Sequence, residues 1–167
     1  MEGAELALET VDIPEFALRN LTSLIPEDVG GVAFIYLDDS GGLITITRQQ
    51  TLYLSRRFDS GRQRLLDVGV SEVTPALEGL LDAIVIEVQR SLDYYESQFA
   101  QPPVQAIVIA PLGVELNGID GYLGSQLGVP ARILRLSELI DIQAPISAET
   151  EARCVTAVGA ALRSAEA

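Results

Sequence analysis

Histidine is absent from this 167-residue sequence, and cysteine occurs once, at Cys154. Without imidazole there are no ordinary zinc triads and no Ser-His or Cys-His nucleophile pairs, and the side chain most used as a general base near neutral pH is missing. A single thiol closes no internal disulfide, so the fold asks for no oxidising compartment, and Cys154 reads as a small buried hydrophobe. Cations are scarce as well: 11 Lys+Arg stand against 24 Asp+Glu, a formal charge of −13. Counterion release from a phosphate backbone needs clustered cations, so no nucleic-acid partner is expected. Wholly apolar runs last only a few residues, far short of the roughly 20 that span a bilayer, and no basic leader opens the chain. A cytoplasmic protein without direct membrane insertion is expected.

What is present suits a folded domain. Hydrophobic residues make up 48% and charged residues 21%, too apolar for a disordered acidic chain, and the length accommodates one full domain. Leu6 to Val11 reads as a short strand. Asp12 then stands as a helix N-cap, with Glu15 as its capping-box acid and Val11 and Phe16 as the hydrophobic staple, and Pro26 closes the helix.

After Gly30-Gly31 the apolar period changes from about 3.6 to 2, in three runs: Val32 to Leu37, Leu43 to Arg48 and Thr51 to Phe58. Short turns between them predict an antiparallel meander. Thr45, Thr47, Tyr53 and Ser55 are placed on one face, half exposed or covered from outside this chain. Residues 59–73 read as a loop with one short helix through Arg64-Leu65-Leu66. Thr74-Pro75 opens the longest helix, whose apolar stripe is Leu77, Leu80, Leu81, Ile84, Val88, Leu92, Tyr95 and Phe99.

The unalternating run Ala106 to Ala110 is what a central parallel strand covered on both faces looks like. A short helix through Leu116, Ile119, Leu123 and Leu127 follows, then a strand from Ala131 to Leu136. Ser147 caps a last helix, in which Gly159 invites close packing against a sheet.

From residue 32 the order is β-β-β-α-β-α-β-α, the order of ribonuclease-H-like domains, which recur as the halves of actin-like ATPases. The expected fold is therefore α/β: a three-stranded antiparallel meander followed by αβαβα, in a mixed five-stranded sheet. Residues 28–167 form this domain. Residues 1–27 are surplus to it and read as the strand-helix remnant of a preceding half.

In open α/β sheets ligands sit beyond the carboxyl ends of the strands. Two loops lie there, Asp38 to Gly42 and Ala110 to Gly113. A ribonuclease-H nuclease needs several carboxylates around two Mg²⁺ ions. Asp38 or Asp39 with Glu87 supplies part of that set, but Ala110-Pro111-Leu112 puts no acid on the central strand. An actin-like ATPase places a D-x-G turn around phosphate and a Gly-Gly pair beside adenosine. The first falls on Asp38-Asp39-Ser40-Gly41, with serine at the glycine position, and the second on Ala110-Pro111-Leu112-Gly113, where proline removes a donor. Asp38, Asp39, Ser40, Gly41 and Gly113 are thus a degenerate nucleotide site, and the same turn also reads as an ordinary hairpin connection. Arg56 and Arg57, with Arg90 beside Tyr94, are the candidate partner-binding residues.

The wording of the sequence adds a resemblance. Ile86-Glu87-Val88-Gln89-Arg90-Ser91-Leu92-Asp93-Tyr94-Tyr95-Glu96 resembles the E-I-Q-R-S-L-D-Y-Y segment of PilM-like proteins of type IV pilus assembly. Leu52-Tyr53-Leu54-Ser55-Arg56-Arg57-Phe58 and Ser97-Gln98-Phe99-Ala100-Gln101-Pro102-Pro103 look most like the MshI branch, which serves mannose-sensitive haemagglutinin (MSHA) pili. Val11 to Asn20 and Ala157 to Arg163 fit the same family. The resemblance implies the second half of an actin-like fold, at the cytoplasmic face of an inner-membrane pilus platform and peripheral to that membrane through PilN-like partners. In that family nucleotide lies between two halves and accompanies docking of a partner's short cytoplasmic tail. The first half and the Gly-Gly motif are missing here. The expectation is therefore a non-catalytic scaffold without a cofactor; ATP with Mg²⁺ in a weak ATPase half, and a homodimer replacing the missing half, are the alternatives.

Overall fold

The fold is that of a computed structural model, which describes residues 11–68, 75–114 and 116–163. The predicted strand residues 6–10 and the predicted cap Thr74 lie outside these. Chain order runs through α1 (Pro14–Thr22), a 3₁₀ turn (Pro26–Gly30), β1 (Val32–Leu37), β2 (Gly42–Arg48), β3 (Thr51–Phe58), α2 (Arg62–Asp67) and α3 (Pro75–Phe99). It continues with β4 (Ala106–Ile109), α4 (Ile119–Leu127), β5 (Ala131–Ile133), a second 3₁₀ turn (Leu136–Glu138) and α5 (Ala148–Ala161). The five strands form one sheet in the order β3-β2-β1-β4-β5. β1, β2 and β3 are the antiparallel meander, while β4 runs parallel to β1 and β5 parallel to β4. This is the mixed α/β sheet that the element order predicts.

Both faces are covered. Successive strand side chains point to opposite faces, so Ala33 and Ile35 of β1 join Ile44, Ile46, Ile107 and Ile109 beneath Leu77, Leu81, Ile84 and Val88 of α3. Val32 and Phe34 face the other way and pack with Leu43, Val108, Leu18 and Leu21 of α1, and Val155 of α5. Burial on both sides explains why β1 and β4 lack alternation. The α3 stripe follows its spacing from Leu77 to Tyr95, whereas Phe99 at its end is exposed; Tyr95 is fully buried, and its hydroxyl accepts a 2.9 Å bond from Arg48 Nε.

Several local expectations are corrected. Helix α1 starts at Pro14, with Ile13 at the cap position and no side-chain cap, and Asp12 accepts the Ile13 N–H and lies 3.7 Å from Arg163 instead of capping the helix. Proline, with its fixed φ and no N–H to satisfy, sets the first turn. Val11 and Phe16 are both exposed, so they form no buried staple. Thr45 and Thr47 are fully buried on the face that α1 covers, and the Thr47 hydroxyl donates to Thr22 Oγ1 at 3.0 Å. The cover for Thr45 and Thr47 comes from this chain itself, whereas Ser55, paired with Thr45, is exposed as the half-exposed reading expects. Tyr53 does not share that face, because the β2–β3 register shifts between Ile46 and Thr47. That bulge leaves Tyr53, with Leu54, packed against the α3 core, where its ring stands edge-on to Tyr95 and Phe99.

At the C-terminal end, β5 is only three residues long, and buried Leu134 follows it with its N–H donating to the Ile109 carbonyl at 2.8 Å. Leu116 precedes α4 rather than lying in it. Gly159 packs against a helix instead of the sheet: a Cβ there would fall 2.2 Å from the Ala17 carbonyl oxygen of α1. Asn20 Nδ2 donates to the Gly159 carbonyl at 2.9 Å. The Ser147 cap is formed as expected, its Oγ accepting the Thr150 N–H. Cys154 is half-buried beside the α1–α5 core.

Candidate functional site

The parallel register of β1 and β4 brings the two predicted loops to one end of the sheet. Val32 pairs with Ala106 and Ile35 with Ile109, and the Ala110 N–H donates to the Ile35 carbonyl at 2.8 Å. Beyond that point lie Asp38-Asp39-Ser40-Gly41 on one side and Pro111-Leu112-Gly113 on the other.

The first loop folds around its own carboxylate. Asp38 Oδ1 accepts the N–H groups of Ser40 at 2.8 Å and Gly41 at 2.7 Å, and the Ser40 hydroxyl at 3.0 Å. Burial alone would push this carboxyl up, but the Gly41 and Ser40 donors outweigh it and hold Asp38 below its ordinary value. The backbone donors that would face a phosphate are thereby engaged from within. Tyr36, half-buried just before the turn, is pushed up by burial and by the Asp38 charge.

Arg62, which sequence reasoning missed, joins the two loops. Its backbone N–H donates to the Asp38 carbonyl at 2.7 Å, and its guanidinium pairs with the exposed carboxylate of Asp39. Arg62 is itself buried. At Gly113, where φ is +80°, a Cβ would stand 2.7 Å from Arg62 Nη1. Gly61 allows the close approach of this segment, since a Cβ there would meet the Ser40 and Gly41 backbone. Arg62 thus occupies the space between the turn and the Gly113 loop. Only its place in a polar, glycine-containing stretch after β3 hinted at it.

A cavity of about 190 Å³ opens beside the second loop, lined by Pro111, Leu112, Gly113, Asn117, Arg135 and Glu151 among others. Small-molecule sites usually measure roughly 300–1,000 Å³. Glu151 is spent on the Leu136 N–H at 2.7 Å and lies 3.6 Å from Arg135. Pro111 offers no donor, and Leu112 is buried in the wall. The second loop therefore presents one backbone donor fewer than a Gly-Gly pair would. Among the described residues no cluster of three or more Asp, Glu or Cys is placed to hold a metal ion.

The candidate partner residues lie outside these loops, on β3 and on α3, and no contact among the described residues brings the two sets together. Arg56 and Arg57 lie on β3, the outer strand. Arg57 is exposed and reaches Glu15 of α1 at 3.4 Å, whereas Arg56 is half-buried. Tyr94 is exposed on α3 and linked to the strand through Phe99, which stands edge-on to both Tyr94 and Tyr53. Arg90, one turn before Tyr94, is engaged by Glu87 at 2.7 Å. No helix among the described residues is long and apolar enough to cross a membrane.

No protein-family profile matches the chain, and no curated protein matches its sequence. Solved structures do. A chain of the PilM-PilN type IV pilus biogenesis complex is similar in fold at a TM-score of 0.69 and 17% identity, over 96% of this chain and 54% of that one. Weaker likenesses include the apo psk41 ParM protein, with TM-score 0.48, 10% identity, and 87% and 46% of the two chains covered. The ethanolamine utilization protein EutJ from Carboxydothermus hydrogenoformans follows, with TM-score 0.43, 12% identity, and 91% and 53% covered. The fold is actin-like, and this chain spans about half the length of the PilM-PilN chain it matches.

Proposed function

We propose that this chain is a non-catalytic scaffold in the assembly platform of a type IV pilus of the MSHA type. It works on the cytoplasmic side, is peripheral to the inner membrane, and docks PilN-like partners. The fold shared with the PilM-PilN complex along nearly the whole chain supports the setting, and the MshI-like segments support the branch. The observation that carries the non-catalytic reading is Asp38 Oδ1 bonded to both loop N–H groups, with Arg62 filling the gap to Gly113. Calorimetric titration of the folded chain with the cytoplasmic tail of a PilN-like protein, with and without MgATP, tests it. The tail binds equally in both, and MgATP alone gives no heat. Saturable MgATP binding that weakens on Asp38→Ala would overturn it.

The second reading is an ATP-binding half of a PilM-like switch, with Asp38 and Ser40 near a Mg²⁺-phosphate. It is favoured by the chain's spanning 54% of its structural neighbour, since a nucleotide held between two halves meets one wall here. The other wall then comes from a preceding half or from a second copy, and sedimentation with and without MgATP should reveal a nucleotide-dependent dimer in the latter case.

A further inference from the structure

The sheet stops at β3. Only β2 lies beside it, so among the described residues its outer edge is open along Thr51–Phe58. Open edges are commonly blunted by bulges and charge. The bulge interrupts only the first half; from Ile46↔Leu54 to Gly42↔Phe58 the register is unbroken. That regular stretch carries Arg56 and Arg57 on opposite faces, Arg57 toward α1 and Arg56 toward α3.

Arg56 and Arg57 are the cations on the open edge; Arg19 of α1 and Arg64 of α2, like Arg56, have no ion pair among the described residues. Arg62, Arg90, Arg132, Arg135, Arg153 and Arg163 are each paired with a carboxylate. Arg48 is held by Tyr95 and the Pro102 and Pro103 carbonyls. Arg56 has no ion pair among the described residues, in a chain where acids outnumber cations 24 to 11. Arg57 has an exposed contact to Glu15 at 3.4 Å and also acts on the Asp38 carboxylate through its charge. An extended segment arriving at the edge is the shape that presents carboxylates to both faces at once, from consecutive residues.

We infer that the outer edge of β3, over Leu54–Phe58, takes an acidic extended segment of a partner protein as a sixth strand. Consecutive acidic residues of that segment pair with Arg56 and Arg57. This deepens the scaffold reading, on which it rests, by naming a docking edge and its chemistry. A second copy fits poorly, because a two-fold β3–β3 pair sets like charges close together and joins two bodies of charge −13.

The test is amide NMR of the full chain titrated with three capped nine-residue peptides: valine and threonine with two Glu-Asp pairs, its lysine-for-acid counterpart, and the acidic peptide N-methylated at its central amides. The acidic peptide should shift the amides of residues 54–58 and saturate. Binding should fall at least about tenfold in Arg56→Glu/Arg57→Glu, less in Arg56→Gln/Arg57→Gln, and weaken with salt. The N-methylated peptide should not bind. Absence of β3 shifts at millimolar acidic peptide, or equal binding of the lysine peptide, overturns the inference. Should a PilN-like tail still bind the Gln variant as it binds the parent, the scaffold reading stands and only the edge site falls.

Discussion

Asp38 is its own loop's ligand. Its carboxyl is held below the ordinary 3.8 by the Gly41 and Ser40 donors acting against burial. A depressed folded value means that the stabilisation is complete above the unfolded value and is lost as pH falls through the folded one. Glu27 behaves alike: the Arg132 hydrogen bond outweighs burial and lowers its carboxyl. Denaturant unfolding should therefore show stability declining below about pH 4, with a shallower decline in Asp38→Ala. At neutral pH that variant should lose about 1 kcal/mol, since two loop N–H groups lose their acceptor. Thr45 predicts the opposite sign. Its hydroxyl is buried and finds no hydrogen-bond partner among the described residues, so Thr45→Val should raise stability by about 1 kcal/mol in the same assay.

At the scale of elements, two helical glycines have contrary consequences. In α5, Gly159 lies against the backbone of Ala17, which cannot yield as a flexible side chain would. Gly159→Ala should cost about 2–3 kcal/mol, read from the denaturation midpoint. In α3, Gly79 has nothing within 4 Å of where a Cβ would stand. Gly79→Ala should stabilise by roughly 0.5–1 kcal/mol. The helices themselves were legible because their signals are local: the stripe from Leu77 to Tyr95 has the right period, and Ser147 caps α5 as its position implies. The Tyr53 bulge was not, because register is a property of two strands, and period alone assigns a bulged residue to the wrong face. Arg62 was equally hidden. Its role arises from Asp39 and Gly113, 23 and 51 positions away in the chain, and no short-range pattern marks such a meeting.

For the whole molecule, the order of elements predicted the sheet, since a meander followed by two crossovers leaves few right-handed arrangements. It did not predict how the ends of the chain are tied. Helix α1 lies against α5, with Asn20 bonded to Gly159 and Arg163 Nη1 3.7 Å from Asp12 Oδ2. Further along, Arg132 of β5 joins Glu27, before β1, and Glu138. The first and last described residues thus lie close to the α1–α5 contact. A circular permutant that links residue 163 to residue 11 by a short spacer, with new ends at the exposed Gln143-Ala144, should fold with a thermal midpoint within about 10 °C of the parent. A unit threaded in this way is portable. It can be spliced into a loop of another polypeptide, because residues 12 and 163 meet beside the α1–α5 contact.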